Sequence, residues 1–126
     1  MRASALLALI PLLALAACAP EPPPARPRLA LDCSLPYETL AAKVLAQPGL
    51  KPAPQERGEP YRFYNMEGGG EAFVLTQAGA PGHPAILKQE AVQENGRKVM
   101  QNTGCPYGDK AGFDQVMAYL QSLSAR

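Results

Sequence analysis

Residues 61–76 decide the fold, and they read Tyr-Arg-Phe-Tyr-Asn-Met-Glu-Gly-Gly-Gly-Glu-Ala-Phe-Val-Leu-Thr. The first six residues alternate, as strand residues do, so that Tyr61 and Phe63 share one face. Tyr64 and Met66 then share the other face. Three consecutive glycines predict a turn, and the segment Ala-Phe-Val-Leu-Thr after them is rich in β-forming residues. The stretch therefore predicts an antiparallel β-hairpin.

A second hairpin is predicted further along the chain. Residues 85–93 could form a strand or a short helix, but Asn95-Gly96 favours the strand because this dipeptide suits a type I′ turn. Residues 98–102 then supply the partner strand. The segment Gly-Ala-Pro-Gly-His-Pro at 79–84 is expected to be a rigid connection between the hairpins. Residues 104–108 are expected to form a turn after the second one.

Amphipathic helices are predicted on both sides of these hairpins. Ser34-Leu35-Pro36 opens the first helix, because proline is tolerated in a first turn. Its apolar residues follow the i, i+3, i+4, i+7 spacing of one buried face: Tyr37, Leu40, Ala41, Val44 and Leu45. Asp109 can cap the last helix, whose apolar stripe comprises Phe113, Val116, Met117, Leu120 and Leu123. Residues 48–60 contain four prolines and are expected to form a loop.

The order of these elements predicts an α+β domain over residues 31–126. We expect a four-stranded antiparallel meander with an N-terminal and a C-terminal helix on one face. The apolar inventory is small, because leucine, isoleucine, valine and phenylalanine total 19 from position 18 onward. The core of such a domain is expected to need additional stabilisation.

The N-terminal residues indicate export. Arg2 precedes an apolar run from Leu6 to Leu15 that is too short to span a bilayer, which takes about 20 residues. Leu15-Ala16-Ala17-Cys18 follows the run and resembles the lipobox of bacterial lipoproteins. The resemblance implies that residues 1–17 are a signal peptide. Cys18 would then receive a diacylglyceryl group on its sulfur and an acyl chain on its new amine. An ordinary secretory signal, with Cys18 present by chance, is the alternative.

This resemblance also implies a location. The lipid chains on Cys18 would bind the lipid bilayer stably without a membrane-spanning helix, at ~0.8 kcal/mol per buried CH₂ group. Ala19 stands where an aspartate would favour retention in the inner membrane, so we expect the cell envelope and the outer membrane, facing the periplasm. Residues 18–30 comprise the lipidated cysteine and a linker with five prolines, and the twelve residues 19–30 are expected to reach roughly 37 Å as a polyproline helix. A docking ligand for a proline-binding module is the alternative interpretation of this linker.

Two further cysteines remain if Cys18 carries lipid. Thiols in an oxidising compartment pair, so we expect a disulfide between Cys33 and Cys105. A bridge across 72 positions would contribute about 4 kcal/mol to the free energy of unfolding in the chain-entropy model. A redox-active pair is the alternative, although the Cys-x-x-Cys spacing of thioredoxin-like chemistry is absent.

The single histidine, His83, is a candidate for chemistry or binding. A neutral imidazole could act as a general base or as one metal ligand, or it could stabilise the turn before Pro84. Pro81-Gly82-His83-Pro84-Ala85, following Phe-Val-Leu-Thr, resembles a segment of small bacterial envelope proteins of unassigned role. This resemblance makes the segment a possible binding surface.

The first hairpin is a second possible binding surface. Tyr61, Phe63 and Tyr64 could pack in the core, or they could expose an aromatic platform with Arg62 beside it to contact an anionic group. The glycines of its turn could approach a phosphate, but the flanking glutamates disfavour this and a flexible tip is expected. Acidic residues could also supply the carboxylate pair of a glycoside hydrolase, although no spacing brings two of them together: Glu67, Glu71, Glu90 and Glu94.

The composition favours a binding role. The net charge of +1 argues against a nucleic-acid partner, and no spacing indicates a metal or another cofactor. We therefore expect a non-enzymatic envelope lipoprotein that binds a protein or a cell-wall component. One alternative is an inhibitor of an envelope hydrolase that acts through a rigid loop at 79–84. The other is a small periplasmic enzyme that uses His83.

Overall fold

The computed structural model describes residues 27–124. The elements are α1 (Tyr37–Leu45), β1 (Leu50–Pro52), β2 (Tyr61–Met66), β3 (Glu71–Thr76), β4 (Ala85–Glu94), β5 (Arg97–Pro106) and α2 (Lys110–Ser124). The strands form one antiparallel sheet in the order β1-β2-β3-β4-β5. The α+β class is confirmed, whereas the expected number of four strands is wrong. The predicted signal peptide (1–17), Cys18 and most of the predicted linker lie outside the described residues.

The fifth strand, β1, lies within the stretch that was expected to be a loop. Leu50 pairs with Met66 of β2, and just beyond the strand the Ala53 N–H donates to the Phe63 carbonyl at 2.8 Å. β1 holds only three residues and ends at Pro52. Proline lacks an N–H and is tolerated on an edge strand, which is the position that β1 occupies.

The two helices pack on opposite faces of the sheet, so the expectation of one shared face is wrong. The cluster on the α1 face comprises Leu40, Val44, Met66, Phe73, Leu75, Ile86 and Cys105. The cluster on the α2 face comprises Val74, Ala85, Leu87, Phe113, Val116 and Leu120. Successive residues of a strand point to opposite faces, and Phe73, Val74 and Leu75 of β3 are all buried. The sheet therefore needs a cover on both sides.

The second hairpin is longer than predicted. β4 and β5 pair over ten residues each. The last residues of β4, after Glu90, extend beyond Glu71, the first residue of β3. Asn95 and Gly96 at the tip have positive φ angles of 51° and 74°, as a type I′ turn requires. Because β5 continues to Pro106, Cys105 lies in a strand and not in the expected turn.

The ends of the helices are set by local side chains and by proline. The Asp109 carboxylate accepts a hydrogen bond from the Gly112 N–H at 2.7 Å, which confirms the predicted cap of α2. α1 begins at Tyr37, directly after Pro36. Both helices therefore begin where local residues, Pro36 and Asp109, favour a helix start.

Candidate functional site

Four charged side chains meet on the α1 face of the sheet, and we call them the Lys88 cluster: Arg28, Glu71, Lys88 and Glu90. The sheet register explains the meeting, because Glu71 of β3 lies directly opposite Glu90 of β4. Lys88 lies two residues before Glu90 and therefore shares its face. Like charges that face each other across strands are destabilising. A cation between the two carboxylates removes that repulsion.

Lys88 is nearly inaccessible to water. Its side chain is 6% exposed, and its Nζ lies 3.1 Å from Glu90 Oε2 and 3.4 Å from Glu71 Oε2. The same ammonium donates to the Leu29 carbonyl at 2.9 Å. These oxygens replace the water that a buried ammonium loses.

The first described residues, 27–33, cross this face, and we call them the leading segment. Arg28 Nη1 donates to Glu90 Oε2 at 3.3 Å and to the Ala91 carbonyl at 3.0 Å, while its Nε lies 3.9 Å from Glu71. Leu29 and Leu31 pack against the α1-face cluster. The Lys88 cluster therefore joins the leading segment to the sheet.

The neighbouring charges shift the pKa of Glu90, the more exposed of the two carboxylates in the cluster. Burial raises the pKa of Glu90, but the hydrogen bonds and charges of Lys88 and Arg28 outweigh burial and lower the pKa below its ordinary value. Glu71 Oε2 is buried and, among the described residues, accepts no hydrogen bond; the ammonium of Lys88 is nevertheless close to it. Both carboxylates therefore form ion pairs with Lys88 and Arg28. The four side chains together form one salt-bridge network.

The disulfide between Cys33 and Cys105 attaches the C-terminal end of the leading segment to β5. The two Cα atoms are 5.2 Å apart, and Cys105 is buried in the α1-face cluster. This pairing confirms the one expected from the sequence. The leading segment is consequently fixed at Arg28 by charge and at Cys33 by a covalent bond.

His83 takes part in the structure of its own turn. Its Nδ1 lies 2.8 Å from Thr76 Oγ1, and the same hydroxyl accepts the Ala85 N–H at 2.8 Å. The His83–Pro84 peptide bond is cis. The geometry gives the imidazole a local hydrogen-bonding role, and its use in catalysis stays a prediction.

The segment 79–84 packs against the start of α2. Ala80 is buried, and a Cβ placed on Gly82 would lie 2.8 Å from the Asp109 carbonyl and 2.7 Å from Gly112 C. Only a residue without a side chain fits there. The segment is therefore rigid because it is supported by α2, and its proposed role as an inhibitory loop stays a prediction.

The aromatic residues of β2 are divided between the two faces of the sheet. Tyr61 and Phe63 pack on the α2 side, where Tyr61 stacks on Tyr119 with centroids 5.6 Å apart. Tyr64 packs on the α1 side. Arg62 Nη1 donates to Gln55 Oε1 at 2.6 Å. The structure therefore does not join these side chains into one platform.

The Lys88 cluster is not predicted as a site from the sequence, although both of its carboxylates are named there as candidates. Glu71 and Glu90 appeared only as unrelated candidates for a hydrolase pair, and the structure brings them together around Lys88. A signal for the cluster was present in the sequence. Lys88 directly follows the apolar run Ala85-Ile86-Leu87, and a lysine in such a run needs a buried partner.

Comparisons of the chain with protein-family models, with curated proteins and with solved structures found no match. Within residues 27–124, no helix has the length and apolar character needed to cross a membrane. The same residues hold no group of three or more histidine, cysteine, aspartate or glutamate side chains arranged to bind a metal ion.

Proposed function

We propose that this chain is a lipid-anchored protein of the bacterial envelope that presents its α+β domain to the periplasm as a non-enzymatic binding or assembly module. The observation that carries the proposal is the Cys33–Cys105 disulfide. The chain has three cysteines, so this pairing leaves Cys18, at the end of Leu-Ala-Ala-Cys, as the remaining one. Disulfides persist in oxidising compartments, which agrees with export.

The leading segment supports the same proposal. A domain tethered by its N-terminal side needs the start of the domain to be attached firmly to its core. Arg28, Lys88 and the disulfide provide that attachment on the α1 face. The proline-rich residues before Pro27 would then act as a spacer between the bilayer and the domain.

Metabolic labelling with an alkyne fatty acid tests the anchor. The wild-type chain should incorporate the label and fractionate with outer membranes, and Cys18→Ala should do neither, because the acylated sulfur is gone. A Cys33→Ala/Cys105→Ala chain is the matched control and should still be labelled. Equal labelling of the wild type and Cys18→Ala would overturn the anchor assignment.

Affinity purification of the acylated protein from native membranes tests the binding role. We expect a single envelope protein or a cell-wall fragment to co-purify in fixed stoichiometry with the wild type. A chain that instead turns over an envelope substrate, with the activity lost in His83→Ala, would contradict the non-enzymatic assignment.

A further inference from the structure

The two edges of the sheet differ in how they are protected from other strands. β1 has three residues and ends at Pro52, and Pro54 follows soon after. β5 has ten residues with no proline before Pro106. Edge strands that are long and free of proline present unpaired backbone groups to a further strand, whereas short strands with proline do not. β5 is therefore the edge at which another strand can add.

The hydrogen-bond pattern shows which groups of β5 face outward. The Tyr107 N–H donates to the Pro84 carbonyl at 3.1 Å, and in an antiparallel ladder such bonded pairs recur at every second residue. Continued along the register of β4 and β5, this pattern turns the N–H and C=O groups of Lys98, Met100 and Asn102 away from β4. These residues offer a regular row of donors and acceptors.

We propose that β5 pairs antiparallel with β5 of a second copy of this chain, about a two-fold axis at Met100. Met100 is 42% exposed, and this pairing places it against its own counterpart, which buries apolar surface on both copies. The same register places Lys98 of each copy opposite Asn102 of the other. The result is a continuous ten-stranded sheet.

Side-chain chemistry favours this register. Lys98 of each copy comes opposite Asn102 of the other, which is polar but carries no charge. Arg97 comes opposite Thr103, so the basic residues of the two copies do not face one another. A parallel pairing in register would align Arg97 and Lys98 with their own counterparts, and like charges opposite each other are destabilising. Antiparallel self-pairing thus keeps the basic residues of the two copies apart and brings the two exposed Met100 side chains together, and on these grounds we assign the edge to a second copy.

The symmetry of such a pair also agrees with a membrane anchor. Directly opposed residues of paired strands lie on the same face of a sheet, so the α1 faces of both copies lie on one side. The leading segment packs on the α1 face. Both chains therefore leave the joined sheet on one side and can enter a single bilayer. The dimer itself does not depend on acylation, so the two proposals can fail separately.

Sedimentation of the purified full chain, over a range of concentrations in mild detergent, tests the pairing. The wild type should form dimers. Met100→Lys and Met100→Glu should each raise the dissociation constant about a hundredfold, because like charges then meet at the two-fold axis. An equimolar mixture of the two variants should recover dimers, because opposite charges meet instead. That recovery would also show that both variants are folded.

Gln115→Lys is the matched control, because Gln115 is exposed on α2, and it should leave the dissociation constant unchanged. A wild-type chain that stays monomeric would overturn the proposal and assign the β5 edge to a strand of another protein. Variants that dimerise as tightly as the wild type, or a mixture that stays monomeric, would also overturn it.

Discussion

Lys88 and its partners concentrate the buried charge of the domain at one point on the α1 face. The ammonium is surrounded by two carboxylates and the Leu29 carbonyl. A buried ion pair of this kind contributes little net stability over a well-packed apolar core, but losing one partner leaves an uncompensated buried charge. The cluster therefore makes the domain sensitive to changes at single residues.

Replacement of Lys88 by methionine should destabilise the domain strongly. Lys88→Met keeps the volume but leaves Glu71 and Glu90 facing each other, so we expect the free energy of unfolding to fall by about 3–5 kcal/mol. Urea denaturation measures this change. Lys110→Met removes the exposed pair with Asp114 and should cost at most about 1 kcal/mol. Equal effects of the two substitutions would contradict the role of Lys88.

Glu90 should also make stability depend on pH. Its pKa in the folded chain is lowered below the ordinary value of 4.5, so the unfolded chain takes up the proton first as pH falls. The stabilising contribution is therefore complete above about 4.5 and is lost as pH falls through the folded pKa. Unfolding midpoints across this range should decline less steeply in Glu90→Gln than in the wild type. Glu94→Gln, at an exposed position, should follow the wild type, and a Glu90→Gln profile as steep as that of the wild type would refute the coupling.

At the level of elements, the contact between α2 and the segment 79–84 depends on two glycines. A Cβ on Gly112 would lie 2.7 Å from Gly82 Cα and 2.8 Å from Pro81 C. Gly82 has a positive φ of 67°, which other residues rarely adopt. The close approach of Gly82 to Gly112 keeps the segment 79–84, which contains His83, packed against α2.

Gly112→Ala should destabilise the protein although alanine is the better helix former. Helix propensity alone would add about 1 kcal/mol to the free energy of unfolding, but the overlap with Gly82 should outweigh it and give a net loss of about 2 kcal/mol. Thermal or urea denaturation checks the sign. Ala118→Gly, on the exposed side of α2, reports the propensity effect alone. A stabilised Gly112→Ala would mean that the contact does not constrain packing.

The elements that the sequence predicts well are those with a strong local pattern. The hairpin at 61–76 and both helices follow from alternation, glycine turns and apolar stripes. β1 was missed because a three-residue strand with a proline carries no such pattern and forms only by pairing with β2. The predicted placement of α2 is wrong because the prediction assumes a sheet with only one buried face. The continuous apolar run Phe73-Val74-Leu75 is instead typical of a strand that is buried on both faces.

At the scale of the whole molecule, the disulfide compensates for a small core. Cys33→Ala/Cys105→Ala should lower the free energy of unfolding by about 4 kcal/mol, because the unfolded chain is no longer closed across 72 positions. Denaturation of the wild type with and without reductant gives the same comparison. The double variant should not respond to the reductant, and a wild type that is equally stable when reduced would contradict this contribution.

The candidate site was less predictable than the fold because it depends on contacts between distant residues. Cys33 and Cys105 could be paired from the sequence because the lipobox resemblance assigns Cys18 to lipid and leaves two thiols. Arg28 and Glu90 are 62 positions apart, and their meeting depends on the sheet register and on the path of the leading segment. Neither can be deduced from local pattern.

The covalent link from the leading segment to β5 has a consequence for how the protein responds to proteolysis. The exposed loop between β1 and β2 is a natural point for protease attack, and it lies between Cys33 and Cys105. A single cut there would leave both fragments attached to each other through sulfur. Nicked molecules would thus stay joined, with the cut hidden in a non-reducing gel, until the disulfide was reduced.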